Sequence, residues 1–236
     1  TALYMAGVKS GDLVITQALT FVATCNALYH MGAEPVFVDV SSVSLGLCPI
    51  ALDNYLEENA FINNDGFSQH KITQQVFRVV VPMHTFGHPV KLKELTDICI
   101  AWGLSLIEDA AESLGSTYQG KHTGTFGRFG VISFNGNKII TGSGGGMLVS
   151  NDETLIAKAK KLSTQAREPA AHYEHLELGY NYRMSNVLAA IGVAQMEVIE
   201  ERIKRTREVN KIYVISKKSE GILDLQLLDF SIYVDD

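Results

Sequence analysis

The chain has 236 residues, 46% of them apolar and 19% charged, which is enough to bury a sizeable core and excludes wholesale disorder. Its formal charge of −6, with Lys158, Lys160 and Lys161 as the one basic run and that run on an expected helix face, gives no electrostatic footing for nucleic acid. No apolar run approaches the roughly 18 residues of a membrane span, no charged-then-apolar leader opens the chain, and Cys25, Cys48 and Cys99 form no Cys-x-x-Cys pair, so a disulfide framework, a structural zinc site and a membrane partner are set aside in favour of a reducing cytoplasm. Thr1 to Val8 reads as the second half of an apolar helix without a start signal, the mark of a truncated N-terminus. Short β-rich runs, Asp12 to Thr16 and Pro35 to Val40, flank a helix from Thr20 to Met31 that Gly32 closes. A helix over Pro49 to Asn59 follows, with proline in its first turn. Next come a polar, irregular insertion around Asn63 to Lys71, a strongly apolar strand over Val76 to Met83, and an amphipathic helix over Val90 to Trp102 stopped at Gly103. Strands over Leu104 to Ile107 and Val131 to Phe134 complete an alternating pattern that persists to about Ser150.

Short continuous apolar strands alternating with helices imply a largely parallel sheet covered on both faces, whose ligands sit beyond the strand ends. Asp109, His84 and Ser133 all fall at such ends. After Asn151 the pattern changes to a helix reaching about Lys161, then a polar loop with Pro169, His172 and His175, then Gly179-Tyr180-Asn181-Tyr182-Arg183. A long helix is expected from Ser185 to Lys211, its first half small, apolar and buried and its second half charged and leaving the body; Gly221 to Asp236 is strand-like at first. There is no internal repeat.

Two segments carry chemistry. Ser133-Phe134-Asn135-Gly136-Asn137-Lys138 is an apolar strand feeding a polar turn and one lysine, with a glycine-rich stretch from Gly142 to Gly146 behind it. Glu108-Asp109-Ala110-Ala111-Glu112 offers a carboxylate at another strand's end. A lysine to form an imine and an aspartate for a pyridinium nitrogen are what pyridoxal phosphate requires of a protein. An isolated lysine is more often a solvated charge, and an aspartate before a helical run is commonly a helix cap; the pair, with glycines that let backbone approach a ligand, favours the cofactor reading. Ser133 is placed either to bind a phosphate oxygen or to cap its strand. Phe21, at a strand-to-helix junction, either stacks on a flat cofactor or enters the core. His84 either lines a pocket or is a plain turn histidine. Gly115-Ser116-Thr117-Tyr118-Gln119-Gly120-Lys121-His122 mimics a phosphate-binding loop, but His122 replaces the magnesium hydroxyl and Gly124, Gly127 and Gly130 forbid the helix such a loop must open. His84 and His88 have metal-ligand spacing only on a helix that Gly87 and Pro89 rule out, so no metal is expected.

Thr20-Phe21-Val22-Ala23-Thr24, Pro35 to Val40, Glu108 to Ala111, Ser133 to Lys138 and Gly179 to Arg183, in that order, resemble the DegT/DnrJ/StrS-type sugar aminotransferases, over nearly the whole chain to about residue 215. The resemblance implies a pyridoxal-phosphate-dependent transferase of fold type I, an α/β protein with a mostly parallel mixed sheet flanked by helices. Residues 1–184 would be its large cofactor-binding domain, and 185–236 the connecting helix with a remnant of a small C-terminal domain that is otherwise missing. It implies that Lys138 forms the imine, Asp109 holds the pyridinium nitrogen, Phe21 covers the ring and Ser133 binds the phosphate. Glu112 falls where relatives carry Gln or His beside the cofactor hydroxyl, a departure that would need a protonated carboxyl to donate. Asn181 and Arg183 would reach the site of a neighbouring subunit in a homodimer, with His84 and Arg183 toward substrate. The implied reaction moves an amino group from L-glutamate to the C4 ketone of a nucleotide-linked 4-keto-6-deoxy sugar, for amino sugars of bacterial surface polysaccharides such as lipopolysaccharide. Two alternatives are a silent truncated domain that only dimerises, and a sugar dehydratase; dehydrating members replace the lysine by histidine, so Lys138 weighs for transamination.

Overall fold

The computed structural model describes residues 1–219, the last seven as backbone alone. Its strands are β1 (Leu13–Gln17), β2 (Glu34–Val38), β3 (Ala60–Ile62), β4 (Ser68–His70), β5 (Phe77–Val81), β6 (Ser105–Asp109), β7 (Thr117–Tyr118), β8 (Lys121–His122), β9 (Phe129–Ser133) and β10 (Gly146–Val149). Its helices are α1 (Ala2–Met5), α2 (Val22–His30), α3 (Pro49–Asn59), α4 (Leu92–Ala101), α5 (Glu153–Ser163), α6 (Asn186–Met196) and α7 (Ile199–Ser219). Six strands form one sheet in the order β10-β9-β6-β5-β1-β2, parallel throughout except for antiparallel β10.

Alternation along each strand sends neighbouring side chains to opposite faces. Leu13, Ile15, Phe77, Val80 and Leu106 join Leu52 and Leu56 of α3 and Leu92, Leu95 and Cys99 of α4 in one core. Val14, Val79, Val81, Ile107 and Phe129 join Ala2, Ala6 and Leu28 in a second core on the other face. A sheet buried on both sides is why the strands read as apolar runs. Burial pushes the Cys99 thiol up to about 12, so it behaves as a small apolar core residue. The three cysteines are free thiols, and among the described residues no group of His, Cys, Asp or Glu is placed to hold a metal. No helix described is long and apolar enough to cross a membrane.

Strand β1 has β2 on one side and β5 on the other, so the chain reverses its direction of travel across the sheet there. Such a switch point opens a crevice at the carboxyl ends of the strands. Gln17, Asp109 and Ser133 all close strands at that edge.

Two expectations are corrected. The segment around Asn63 to Lys71 is not irregular: β3 and β4 form a hairpin there. The long helix is broken between Met196 and Ile199, and α6 has no buried residue, with Val187, Ile191, Val193 and Met196 all exposed. Burial depends on what packs against a helix, and in the described residues only the loop around Thr141 and Gly142 meets this one. The phosphate-loop look-alike, set aside on its sequence, forms a hairpin: β7 and β8 pair across Gln119 and Gly120, both at positive φ, as expected of a tight two-residue turn. The strand-like run from Gly221 lies outside the described residues.

Gly130 of β9 shows how closely the chain packs beside the crevice, since a Cβ there would come within 2.0 Å of the Gly124 carbonyl oxygen. Replacing Gly130 by alanine is expected to cost about 3 kcal/mol in urea unfolding, by overpacking against backbone that cannot yield. Gly136→Ala, with nothing within 4 Å of the added carbon, should stay within about 0.5 kcal/mol of the parent.

Candidate active site

Asp109 ends β6 with its carboxylate turned toward α2. Thr24 Oγ1 donates to Oδ2 at 2.6 Å and the Ala111 amide to Oδ1 at 3.2 Å. The residues after it form turns, not a helix, so the helix-cap reading of Asp109 is not what the chain uses it for. The acid is half-buried and lines a cavity of about 680 Å³ together with Thr24, Ser133, Gly145, Met147 and Tyr182. That volume lies in the range of small-molecule and cofactor pockets. Ser133 Oγ accepts the Asn135 amide at 3.2 Å, capping the turn after β9, while its own proton remains available to an incoming acceptor.

Lys138 lies in the turn that follows, its amide donating to the Asn135 carbonyl at 3.1 Å. It is not a solvated charge: only 13% of its side chain is exposed, and Nζ lies 3.2 Å from Glu112 Oε1. The second Glu112 oxygen, Oε2, accepts the Phe86 amide at 3.2 Å. Phe86 adopts φ 54° and ψ 26°, a left-handed conformation that costs a bulky residue roughly 1–3 kcal/mol and is seen mostly where function holds it. Lys138 and Glu112 are not in the wall of the 680 Å³ cavity, which Asp109 and Ser133 line at the same sheet edge.

Glu108, one residue before Asp109, points the other way and is fully buried. It accepts the amides of Gly124 at 2.6 Å and of Phe126 and Gly127 at 2.7 Å each, and His84 Nε2 at 3.1 Å. Burial pushes this carboxyl up, but the bonds from His84 and from the Gly127 and Gly124 amides outweigh it, so it sits below the usual carboxylate range. His84 Nδ1 accepts the Val90 amide at 3.3 Å, so one neutral tautomer, protonated on Nε2, satisfies both contacts. This corrects the pocket reading of His84. With no exposed surface and both nitrogens engaged, it cannot touch substrate, and it braces the loop ends instead.

Phe21 precedes α2 as its cap residue and is 63% exposed on the rim of the crevice, not in the core. Asn181 and Arg183 lie beside the C-terminal end of α5, where Thr164 bridges Asn181, and both are exposed. Tyr182 between them stacks on Tyr180 with centroids 4.9 Å apart and does line the cavity. Sequence reasoning missed Gln17, Thr24, Glu108 and Phe86. Gln17 is fully buried and binds the turn after β5, its amide donating to Thr85 Oγ1 at 2.9 Å and its Oε1 accepting the Leu47 amide at 2.7 Å and the Met83 amide at 3.2 Å. A charge or carboxamide closing an apolar strand was the available signal for Gln17 and Glu108; nothing in the sequence marks Phe86 for positive φ.

A mostly parallel sheet with a carboxylate and a hydroxyl at neighbouring strand ends and a covered lysine in the loop beyond is an α/β architecture, and the solved structures it resembles are aminotransferases. The chain belongs to the DegT/DnrJ/EryC1/StrS aminotransferase family, whose model matches residues 1–218. It is 48% identical over 223 residues to the putative pyridoxal phosphate-dependent aminotransferase EpsN of Bacillus subtilis, covering 94% of this chain and 54% of that protein. It is 37% identical to the GDP-perosamine synthase of Escherichia coli O157:H7, covering 90% of this chain and 54% of that protein. Among solved structures it resembles a DegT/DnrJ/EryC1/StrS aminotransferase from Brucella abortus, with a TM-score of 0.82 and 26% identity over 92% of this chain and 56% of that one. The chain thus spans about half the length of these relatives. Aminotransferases of this family depend on pyridoxal phosphate.

Glu108→Gln would set a carboxamide N–H against a backbone N–H and is expected to cost about 3 kcal/mol at pH 7, measured by urea titration. A carboxyl lowered on folding stabilises above its unfolded pKa and loses that contribution as pH falls through the folded value. The parent should therefore lose more stability than Glu108→Gln between pH 7 and pH 3, and the gap between them should narrow.

Proposed function

We propose that this chain is the cofactor-holding part of a homodimeric, cytoplasmic aminotransferase that moves an amino group from L-glutamate to the C4 ketone of a nucleotide-linked 4-keto-6-deoxy sugar, in the making of bacterial surface polysaccharide. The observation that carries the reading is the covered Lys138 amine, five residues beyond Ser133 in the turn that leaves β9, while Ser133 and Asp109 line one cavity. The likeness to a GDP-perosamine synthase supports a nucleotide-linked sugar as acceptor.

The residues fit pyridoxal phosphate by their donor chemistry. Asp109 keeps lone pairs beyond those used by Thr24 and Ala111, so it has capacity for one more N–H, that of a protonated ring nitrogen. Ser133 has a free proton for a phosphate oxygen, the exposed Phe21 ring would cover the cofactor face, and Glu112 would stand near its hydroxyl. Asn181 and Arg183, both exposed, would serve the neighbouring subunit's site. Bound there, pyridoxal phosphate supplies an aldehyde to carry the amino group and a ring that withdraws electrons from the reacting carbon. Lys138 provides the amine that holds the cofactor and then, released, acts as the base that moves a proton. Asp109 would supply the negative charge that a protonated ring nitrogen needs, which asparagine lacks.

Purified chain mixed with pyridoxal phosphate should develop a visible absorption band, and borohydride should fix the cofactor to Lys138, read by peptide mass spectrometry. Lys138→Ala should show neither band nor turnover; normal turnover by that variant would refute the assignment, and no band in the parent would favour a silent domain. Asp109→Asn should keep the covalent label while transfer falls by about 10²-fold or more, the usual loss when a group stabilising developing charge is removed.

A further inference from the structure

We propose that Glu112 is a positioning residue that docks the Lys138 amine whenever that amine is not bonded to cofactor, and that the turn 84–88 is built to hold this carboxylate in place. The proposal deepens the assignment of Lys138 as the cofactor-bearing lysine and rests on it for its purpose, though the geometry stands alone.

Both oxygens of Glu112 are committed, Oε1 to Lys138 Nζ and Oε2 to the Phe86 amide, each at 3.2 Å. The Phe86 amide reaches that oxygen from a backbone at positive φ, a conformation its side chain disfavours. No packing accounts for the strain, since the Phe86 ring is 70% exposed. The turn cannot relax, because it is anchored on both sides of Phe86. His84 is buried against Glu108, and the Thr85 hydroxyl donates to the Leu45 carbonyl at 3.0 Å while accepting Gln17 Nε2. Gly87, at φ 85°, lies so close to the Glu112 backbone that a Cβ would come within 2.9 Å of its carbonyl oxygen. The turn therefore locates Glu112 by its main chain and by its carboxylate. The loop that carries Lys138 is held as well, by the Lys138 amide on the Asn135 carbonyl and by the Thr141 hydroxyl and the Gly142 amide on the Phe134 carbonyl, so both partners of the pair are placed by their main chains.

A lysine released in mid-reaction needs a place close to the reacting carbon. When it takes up a proton as base, the ammonium formed needs a counter-charge that does not draw it into solvent. Glu112 supplies both. Gln or His at this position would leave that ammonium without an anion, so the departure to glutamate acquires a purpose: the carboxylate faces the lysine first.

The test uses the cofactor-free chain. Limiting acetic anhydride labels amines, and peptide mass spectrometry gives the rate at Lys138 relative to Lys9 and Lys121 of the same molecule. Glu112→Gln keeps the shape and removes the charge, so Lys138 should be labelled about three- to fivefold faster relative to those lysines, the factor an ion pair of this exposure carries. In the parent, about 1 M salt should raise Lys138 labelling toward the variant, while the variant stays unchanged. Equal labelling in parent and variant would overturn the proposal; should the variant fold poorly, an unchanged Lys138 rate in the parent at high salt overturns it equally. The cofactor reading fails separately. A chain that forms no band with pyridoxal phosphate but shows the labelling difference keeps the docking and loses the function, and the reverse result does the opposite.

Discussion

The buried carboxylate of Glu108 is the constraint on which the site depends. A charge removed from water is tolerable only with its lone pairs occupied. Here three backbone amides and one imidazole N–H converge on it. These donors come from different places: His84 from the end of β5, and Gly124, Phe126 and Gly127 from the loop entering β9. Because β6 lies between β5 and β9, one side chain ties three adjacent strand ends together. Strand alternation then sends the next residue, Asp109, to the opposite side, where Thr24 receives it. The placement of the candidate cofactor acid is thus a consequence of a neighbouring acid that never meets solvent.

The architecture was legible because both faces of the sheet are covered, and a covered sheet writes itself as apolar runs between helices. The bounds of α3 agree to the residue, since Pro49 opens it and polar Asn59 ends it. The hairpin of β3 and β4 was not legible: it is three residues a side, polar on one strand, and lacks the alternation that marks a longer strand. Of the candidate site, Asp109 and Ser133 could be placed at strand ends because each closes an apolar run. His84 obeys the same rule and still proved to be buried, because a strand end can turn inward where a buried acid needs a donor. Phe86 was invisible, as its conformation is imposed by anchors at Gln17, Leu45 and Glu108 that lie far from it in sequence.

Helix α6 shows the limit of reading burial from one chain. Its sequence is small and apolar nearly all round, the pattern of a helix enclosed on every side. In the described residues it is only partly covered, on the side of Leu188, Ala189 and Gln195, and Val187 and Val193 are 63% and 62% exposed. Its contacts on this side are hydrogen bonds between Gln195 and both backbone groups of Thr141, in the loop that follows Lys138. The helix is therefore coupled to the lysine loop even while its apolar surface stands open, so whatever covers α6 also bears on the segment that carries the amine.

Three carboxylates within five residues share one stretch of chain and have three different fates. Glu108 is sealed and anionic because backbone amides replace water around it. Asp109, on the alternate face, keeps part of its accepting capacity open to the cavity. Glu112, past the strand in a turn, meets the one lysine positioned to reach it. A uniform patch of negative charge would repel itself and hold nothing. Strand alternation, followed by a turn, separates the three into a buried brace, an acid facing the cavity and a partner for Lys138. That separation, more than any one residue, lets the short run Glu108 to Glu112 brace neighbouring strands, present an acid to the cavity and meet a lysine.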